Sequence, residues 1–207
     1  MKQINIKNKI DKLIPTLKSN STINTRIKEF EQVNKSCNLT WFNELCFCLL
    51  TANSKAKTAL AIQNEMGKNG FFEKSQPELS DVIRKHGHRF HNKKSEYIVL
   101  AKTHLDIKEK IYKLPEVEAR EFLVKNIKGL GFKEASHFLR NVGFVNVAII
   151  DRHILRYLHK NELITEIPKI ITKKHYLIYE EILKEFQIPL NKLDLIIWEK
   201  MTGEVLK

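Results

Sequence analysis

Between residues 41 and 50 the chain carries Trp41, Phe42, Leu45, Cys46, Leu49 and Leu50 at helical spacing, apolar on nearly every side. Such a helix has no face to give to water, so it belongs at the centre of a fold and obliges other helices to surround it. Thr40 is placed to cap its start. The surrounding helices are legible as amphipathic patterns. One opening segment repeats Ile4, Ile6, Ile10, Leu13, Ile14 and Leu17, a second helix runs over about 24–33, and a third carries Ala56, Ala59, Leu60, Ile62 and Met66 before Gly67 and Gly70 stop it. Ser80-Asp81 can cap a short helix reaching Lys85, and a long helix with Tyr97, Ile98, Leu100 and Ala101 follows. Further helices are expected over 117–127, 133–142, 151–160, 172–186 and 191–201, with Pro168 and Pro189 as breakers. With 7 Gly and 5 Pro in 207 residues and little period-two alternation, the fold class is all-α.

Lys and Arg number 36 against 24 Asp and Glu, a formal charge of +12, so a polyanion is the first partner to test and nucleic acid the commonest of its kind. A lysine-rich surface serving solubility has the same composition, so charge alone leaves both readings standing. The three cysteines, Cys37, Cys46 and Cys48, suggest a reduced, intracellular setting. Cys46 and Cys48 point to different sides of one helix and cannot clasp a metal together. No stretch reaches the ~18 to 20 apolar residues of a membrane span, and residues 1–21 are polar rather than a signal peptide. In the loop His86-Gly87-His88-Arg89-Phe90, the histidines, with His91 behind them, invite a metal. Without a carboxylate pair or cysteine nearby, an exposed arginine and aromatic tip is better explained by DNA.

A helix ending near Ile127 is followed by Lys128-Gly129-Leu130-Gly131-Phe132 and a second helix from Lys133. Two glycines around one apolar residue let the chain reverse tightly while Leu130 plugs the gap. The open amides at the second helix's start favour an anion. This is a helix-hairpin-helix pattern. Lys133 opens a helix beside it, and Asp151 follows the apolar run Val147-Ala148-Ile149-Ile150 at the start of another. Taken singly, the first reads as a surface lysine and the second as an ordinary N-cap.

Taken together, these residues resemble the helix-hairpin-helix DNA glycosylase superfamily, whose members carry apolar-x-Gly-apolar-Gly-x-Lys and, 18 residues on, an Asp in a pattern like Val-Asp-x-His. Here Lys133, Asp151 and His153 keep that spacing, with Ile150 in place of the valine. The fuller wording, Glu134-Ala135-Ser136-His137-Phe138-Leu139-Arg140-Asn141 and Ala148-Ile149-Ile150-Asp151-Arg152-His153, is similar to the archaeal-type 8-oxoguanine DNA glycosylase and AP lyase family, from about Phe30 to Lys207.

The resemblance implies base excision repair of 8-oxoguanine in double-stranded DNA by a monomer that flips the damaged nucleotide out of the stack. Asp151 would stabilise the sugar as it turns cationic. Lys133, as a neutral amine, would attack C1′ and form a Schiff base from which the 3′ phosphate is eliminated. Lys128, Gly129, Leu130, Gly131 and Arg152 would hold phosphates, with a monovalent cation at the hairpin as in related enzymes. No redox or organic cofactor is implied, and with no cysteine after Cys48 the iron-sulfur cluster of some superfamily members is not expected. The resemblance sets Trp198 to stack on the extruded base and Lys207 to reach its edge through carboxylate or ammonium, with Asp194 a further pocket candidate. Asn53 stands where relatives place a side chain that fills the vacated stack, and His88, Arg89 and Phe90 form a wedge against the opposite strand. If the natural chain ends at Lys207, extension should harm it.

Two helical lobes are expected, residues 35–145 with the hairpin and residues 1–34 plus 146–207, with the active cleft between them and Lys133 and Asp151 on facing sides. The rivals are a glycosylase of the same fold acting on another damaged base, a non-catalytic hairpin module that binds DNA for a partner, and an RNA-binding helical protein.

Overall fold

The computed structural model describes residues 2–207, with side chains from Ile6 onward; Ile4, part of the first helical pattern, lies outside the described side chains. Thirteen α-helices and no strand occur among the described residues. They are α1 (Lys2–Leu13), α2 (Ser21–Lys35), α3 (Asn38–Thr51), α4 (Ala56–Met66), α5 (Gly70–Glu73), α6 (Gln76–Lys85), α7 (His91–Ala101), α8 (Ile107–Ile111), α9 (Glu116–Asn126), α10 (Phe132–Asn141), α11 (Arg152–Lys160), α12 (Lys173–Lys184) and α13 (Leu190–Thr202). Two starts differ from expectation. The cap of α3 is Cys37 rather than Thr40, whose amide already bonds Cys37 O at 3.0 Å inside the first turn. Helix α6 begins at a capping box of Ser75 and Glu78 with Pro77 in its first turn, so Ser80 is interior and its hydroxyl meets His91 Nδ1 at 2.9 Å. No helix among the described residues is long and apolar enough to cross a membrane.

The chain divides into two compact units, residues 30–143 with Lys207, and residues 1–29 with 144–206. The division falls at 29/30 rather than 34/35 because α2 is one continuous helix whose last turns belong with α3 and α10. Trp41 Nε1 donates to Val33 O at 2.9 Å, and Asn34 Nδ2 to Val142 O at 2.7 Å. In this unit α3 is the central rod, with Trp41, Phe42 and every residue from Glu44 to Thr51 buried. α4, α7, α8 and α10 pack around it. Burial pushes the Cys46 and Cys48 thiols well up, as befits core groups held as thiols. A helix end inside a core needs partners for its last carbonyls. Here Leu49 O accepts from Lys94 Nζ at 2.6 Å and Leu50 O bonds His88 Nε2 at 3.0 Å.

In the other unit α13 packs on α11 and α12. Helix α11 is strongly two-faced, burying Ile154, Leu155, Tyr157 and Leu158. The run before it, residues 144–150, bends at Val145 and Asn146 and belongs to no helix or strand, so its backbone polar groups must find side chains instead. Ala148 N donates to Glu180 Oε1 (3.3 Å), Ile149 N to Asp194 Oδ2 (2.9 Å) and Ile150 N to the Tyr176 hydroxyl (3.0 Å). That hydroxyl in turn donates to Ala148 O at 2.6 Å.

Candidate active site and nucleic-acid interface

The hairpin between α9 and α10 closes on Leu130, which is buried and whose amide donates to Ile127 O at 3.2 Å. Gly129 has φ +93°, and a Cβ there would lie 2.3 Å from Tyr97 Cδ2, so both the backbone and the packing demand glycine. Gly131 is different. It is extended (φ −93°) and caps α10 with no side chain, leaving the first amides of that helix open to an anion. Lys128 beside them is 61% exposed and 3.8 Å from Glu96 Oε1, a contact too long and too wet to hold it.

Lys133 lies on the first turn of α10, half-buried, with Nζ 3.3 Å from Glu134 Oε1. Buried Lys94 stands in the same field; burial lowers its pKa, Glu134 opposing and Lys133 reinforcing the shift. One turn beyond Lys133, His137 is buried on the same face. Its burial, with Arg140 and Lys133 next in weight, pushes its pKa well below the usual imidazole range, so the ring is neutral. Its Nε2 bonds the backbone oxygen of Lys207 at 3.1 Å and its ring meets Phe47 edge-on at 5.4 Å. The Lys207 ammonium sits 4.9 Å over the Phe47 ring, hydrogen-bonded to Glu44 Oε1 and, at 2.8 Å, to Gln63 Oε1. Lys133 and Lys207, far apart in sequence, therefore share one neighbourhood through His137.

The rest of that neighbourhood was not anticipated. Glu44 is 5% exposed and takes Asn141 Nδ2 at 3.2 Å on its second oxygen. Gln63 Nε2 donates to Asn43 Oδ1 at 2.6 Å. A cavity of about 320 Å³, lined by Thr40, Asn43, Glu44, Gln63, Asn64, Gly67 and Lys68, opens beside the pair. The available signal was Glu44 itself, a lone carboxylate inside an apolar helix, which a core tolerates only when paired.

In the other unit Asp151 caps α11, its Oδ1 accepting from His153 N (2.8 Å) and Ile154 N (3.0 Å) while Oδ2 stands outside both bonds. The cap and the candidate catalytic carboxylate are thus one residue, with an oxygen for each purpose. The His153 ring meets Trp198 at 4.6 Å. The indole N–H of Trp198 is buried and meets no acceptor among the described residues. Two expectations change here. Asp194, expected as a further pocket residue, is 2% exposed and engaged with Ile149 N, because the strandless run needs an acceptor there. Arg152, expected on phosphate, directs its guanidinium at the carbonyls of Pro168 (2.6 Å) and Lys169, tying down the loop before α12.

Asn53 and the 86–90 loop meet through the end of α3. Asn53 is exposed at φ +61°, a conformation asparagine accepts. His88 was expected at a wedge tip, but it is buried. Its Nδ1 accepts from Phe90 N at 3.2 Å, which leaves Nε2–H to donate to Leu50 O, so it is a strut rather than a probe. Arg89 and Phe90 form the exposed tip, the guanidinium 5.2 Å over the ring. The loop's histidines do not converge. His86 pairs with Glu65 at 2.8 Å and His91 with Ser80.

Uncapped amides at a helix start favour an anion, and the all-helical frame around the turn is that of the helix-hairpin-helix DNA glycosylases. The family model described as 8-oxoguanine DNA glycosylase matches residues 23–192, and the chain belongs to that family. It is 50% identical over 190 residues to the 8-oxoguanine DNA glycosylase/AP lyase of Methanocaldococcus jannaschii, covering 89% of this chain and 91% of the relative. It is 46% identical to that of Korarchaeum cryptofilum over 191 residues, covering 89% and 90% of the two chains. Among solved structures, the Methanocaldococcus jannaschii glycosylase/lyase in complex with 15mer DNA containing 8-oxoguanine superposes with TM-score 0.87 at 47% identity, covering 97% of this chain and 99% of that one. The Thermotoga maritima 8-oxoguanine DNA glycosylase gives 0.85 at 38%, with both chains fully covered.

Proposed function

We propose that the chain is a bifunctional 8-oxoguanine DNA glycosylase and AP lyase, acting as a monomer on duplex DNA in the reducing interior of the cell. The observation that carries this reading is the position of Lys133, an amine on the first turn of a helix whose first amides no side chain caps, an arrangement that favours an anion such as a DNA phosphate. The hairpin amides and Lys128 take phosphate. Arg89 and Phe90 press on the duplex while Asn53 enters the space left by the flipped nucleotide. Trp198 stacks on the extruded base. Lys207, held between Glu44 and Gln63 over Phe47, meets the base's polar edge.

The neutral amine of Lys133 attacks C1′ as the glycosidic bond breaks and the base leaves with the bonding electrons and a proton. Asp151 Oδ2 supplies negative charge to the sugar as it turns cationic. The sugar ring opens to a Schiff base, a C2′ proton is lost, the 3′ C–O bond breaks, and water releases the lysine. A monovalent cation, if bound at the hairpin, would be held by backbone carbonyls of residues 127–132 and would supply positive charge for a phosphate; no bond change depends on it.

Borohydride trapping tests the reading. The protein is mixed with a duplex carrying one 8-oxoguanine, and the wild type should give a covalent adduct that Lys133→Gln abolishes. If neither protein releases the base, the substrate assignment fails and a panel of other lesions comes next. Binding without release across the panel would favour the non-catalytic module.

A further inference from the structure

We propose that Asp194, together with Tyr176, is a positioning residue that aims the carboxylate of Asp151 by clamping the run of chain that delivers it. This rests on the proposed role of Asp151 in stabilising the cationic sugar. A strand is normally held by its neighbours in a sheet, and this run has none among the described residues. Three consecutive amides immediately before Asp151, those of Ala148, Ile149 and Ile150, are instead taken by Glu180, Asp194 and Tyr176 from α12 and α13. All three side chains are buried. Tyr176 grips the run twice, accepting from Ile150 N and donating to Ala148 O. Asp194 gives the shortest amide bond of the three, two residues from Asp151, and a carboxylate acceptor makes that bond charge-assisted. The far end of the run is pinned by Asn191 N donating to Val145 O at 3.0 Å, also from α13. Helices α12 and α13 therefore fix the height and direction at which the chain enters α11, and with them the oxygen of Asp151 that the cap leaves over.

A carboxylate that meets charge only in the transition state loses its effect with small displacements, about a hundredfold for 1 Å. On an already abasic site there is no glycosidic bond to break, so the contribution of Asp151 to base departure is absent there. The test compares single-turnover base release from an 8-oxoguanine duplex with strand cleavage at a preformed abasic site, alongside duplex affinity and thermal unfolding. Asp194→Ala is expected to slow base release by about tenfold to a hundredfold, with abasic cleavage and affinity held within about threefold. Asp194→Asn keeps an acceptor oxygen and should recover most of the rate. Tyr176→Phe removes both grips without opening a cavity, and should give the same split should Asp194→Ala fold poorly. Equal loss of both reactions in Asp194→Ala and Tyr176→Phe, or unchanged base release, overturns the proposal. Asp151→Asn separates the two layers. If it keeps full base release, the role of Asp151 falls and the positioning falls with it; if it loses base release while Asp194→Ala and Tyr176→Phe keep it, the positioning alone falls.

Discussion

Gly129→Ala should destabilise the hairpin by two separable amounts. The residue sits at φ +93°, where a Cβ costs about 1–2 kcal/mol in backbone strain. The new methyl would also lie 2.3 and 2.7 Å from Tyr97 Cδ2 and Cε2, far inside contact distance, and relieving such overpacking costs about 1–3 kcal/mol. The sum, about 2–5 kcal/mol, corresponds to a drop of about 4–20 °C in Tm for a chain of this size. Tyr97→Ala removes the obstructing ring but not the strain. In that background Gly129→Ala should cost only the first amount, leaving a coupling of about 1–3 kcal/mol in a double-mutant cycle read by urea unfolding. Equal costs in both backgrounds would refute the argument that the ring as well as the φ angle selects glycine there. Duplex affinity should fall with Gly129→Ala beyond the change in folded fraction, because the strained turn carries the open amides.

Lys128→Gln should weaken duplex binding evenly across sequences and reduce the slope of log affinity against log salt by about 0.9, since one phosphate contact is lost; an unchanged slope would remove Lys128 from the interface. Glu44→Ala leaves the Lys207 ammonium without its buried carboxylate and should cost about 3 kcal/mol in urea unfolding, while Glu44→Gln keeps an acceptor and should cost less. His137 has a folded pKa well below its ordinary 6.5 because it is buried, so below that pH the unfolded chain binds a proton that the folded chain refuses. Its neutral-state stability is complete above 6.5 and is lost as pH falls. Urea unfolding between pH 7.5 and 5.0 should therefore show a loss that His137→Gln reduces, and an equal slope in the variant would contradict the assignment.

The sequence made the fold legible where helical periodicity and punctuation agree, as in the apolar rod around Leu45 and the glycine hairpin at Gly129. Lys133 and Asp151 became catalytic candidates through the family resemblance, because a lysine after a glycine-punctuated turn and an aspartate at a helix start are, each alone, ordinary local arrangements. What the sequence could not supply were contacts that close only in three dimensions. Lys207 reaching Glu44 and Gln63 joins positions 163 and 144 residues apart, and no periodicity records such a meeting. Nor does local pattern separate a loop residue that points outward from one that points in. His88 and Arg89 are neighbours in the same polar loop, yet the end of α3 had a carbonyl to satisfy at Leu50 and took the histidine, leaving the arginine to solvent. The same rule explains Asp194. The resemblance made it a further pocket candidate, but the run without a sheet partner had an amide to satisfy at Ile149, and the backbone's demand decided where the carboxylate went. Buried backbone groups, more than side-chain chemistry, thus determine which polar residues remain free to meet DNA, and this makes Arg89, Phe90 and Asn53 stronger interface candidates than His88 or Asp194.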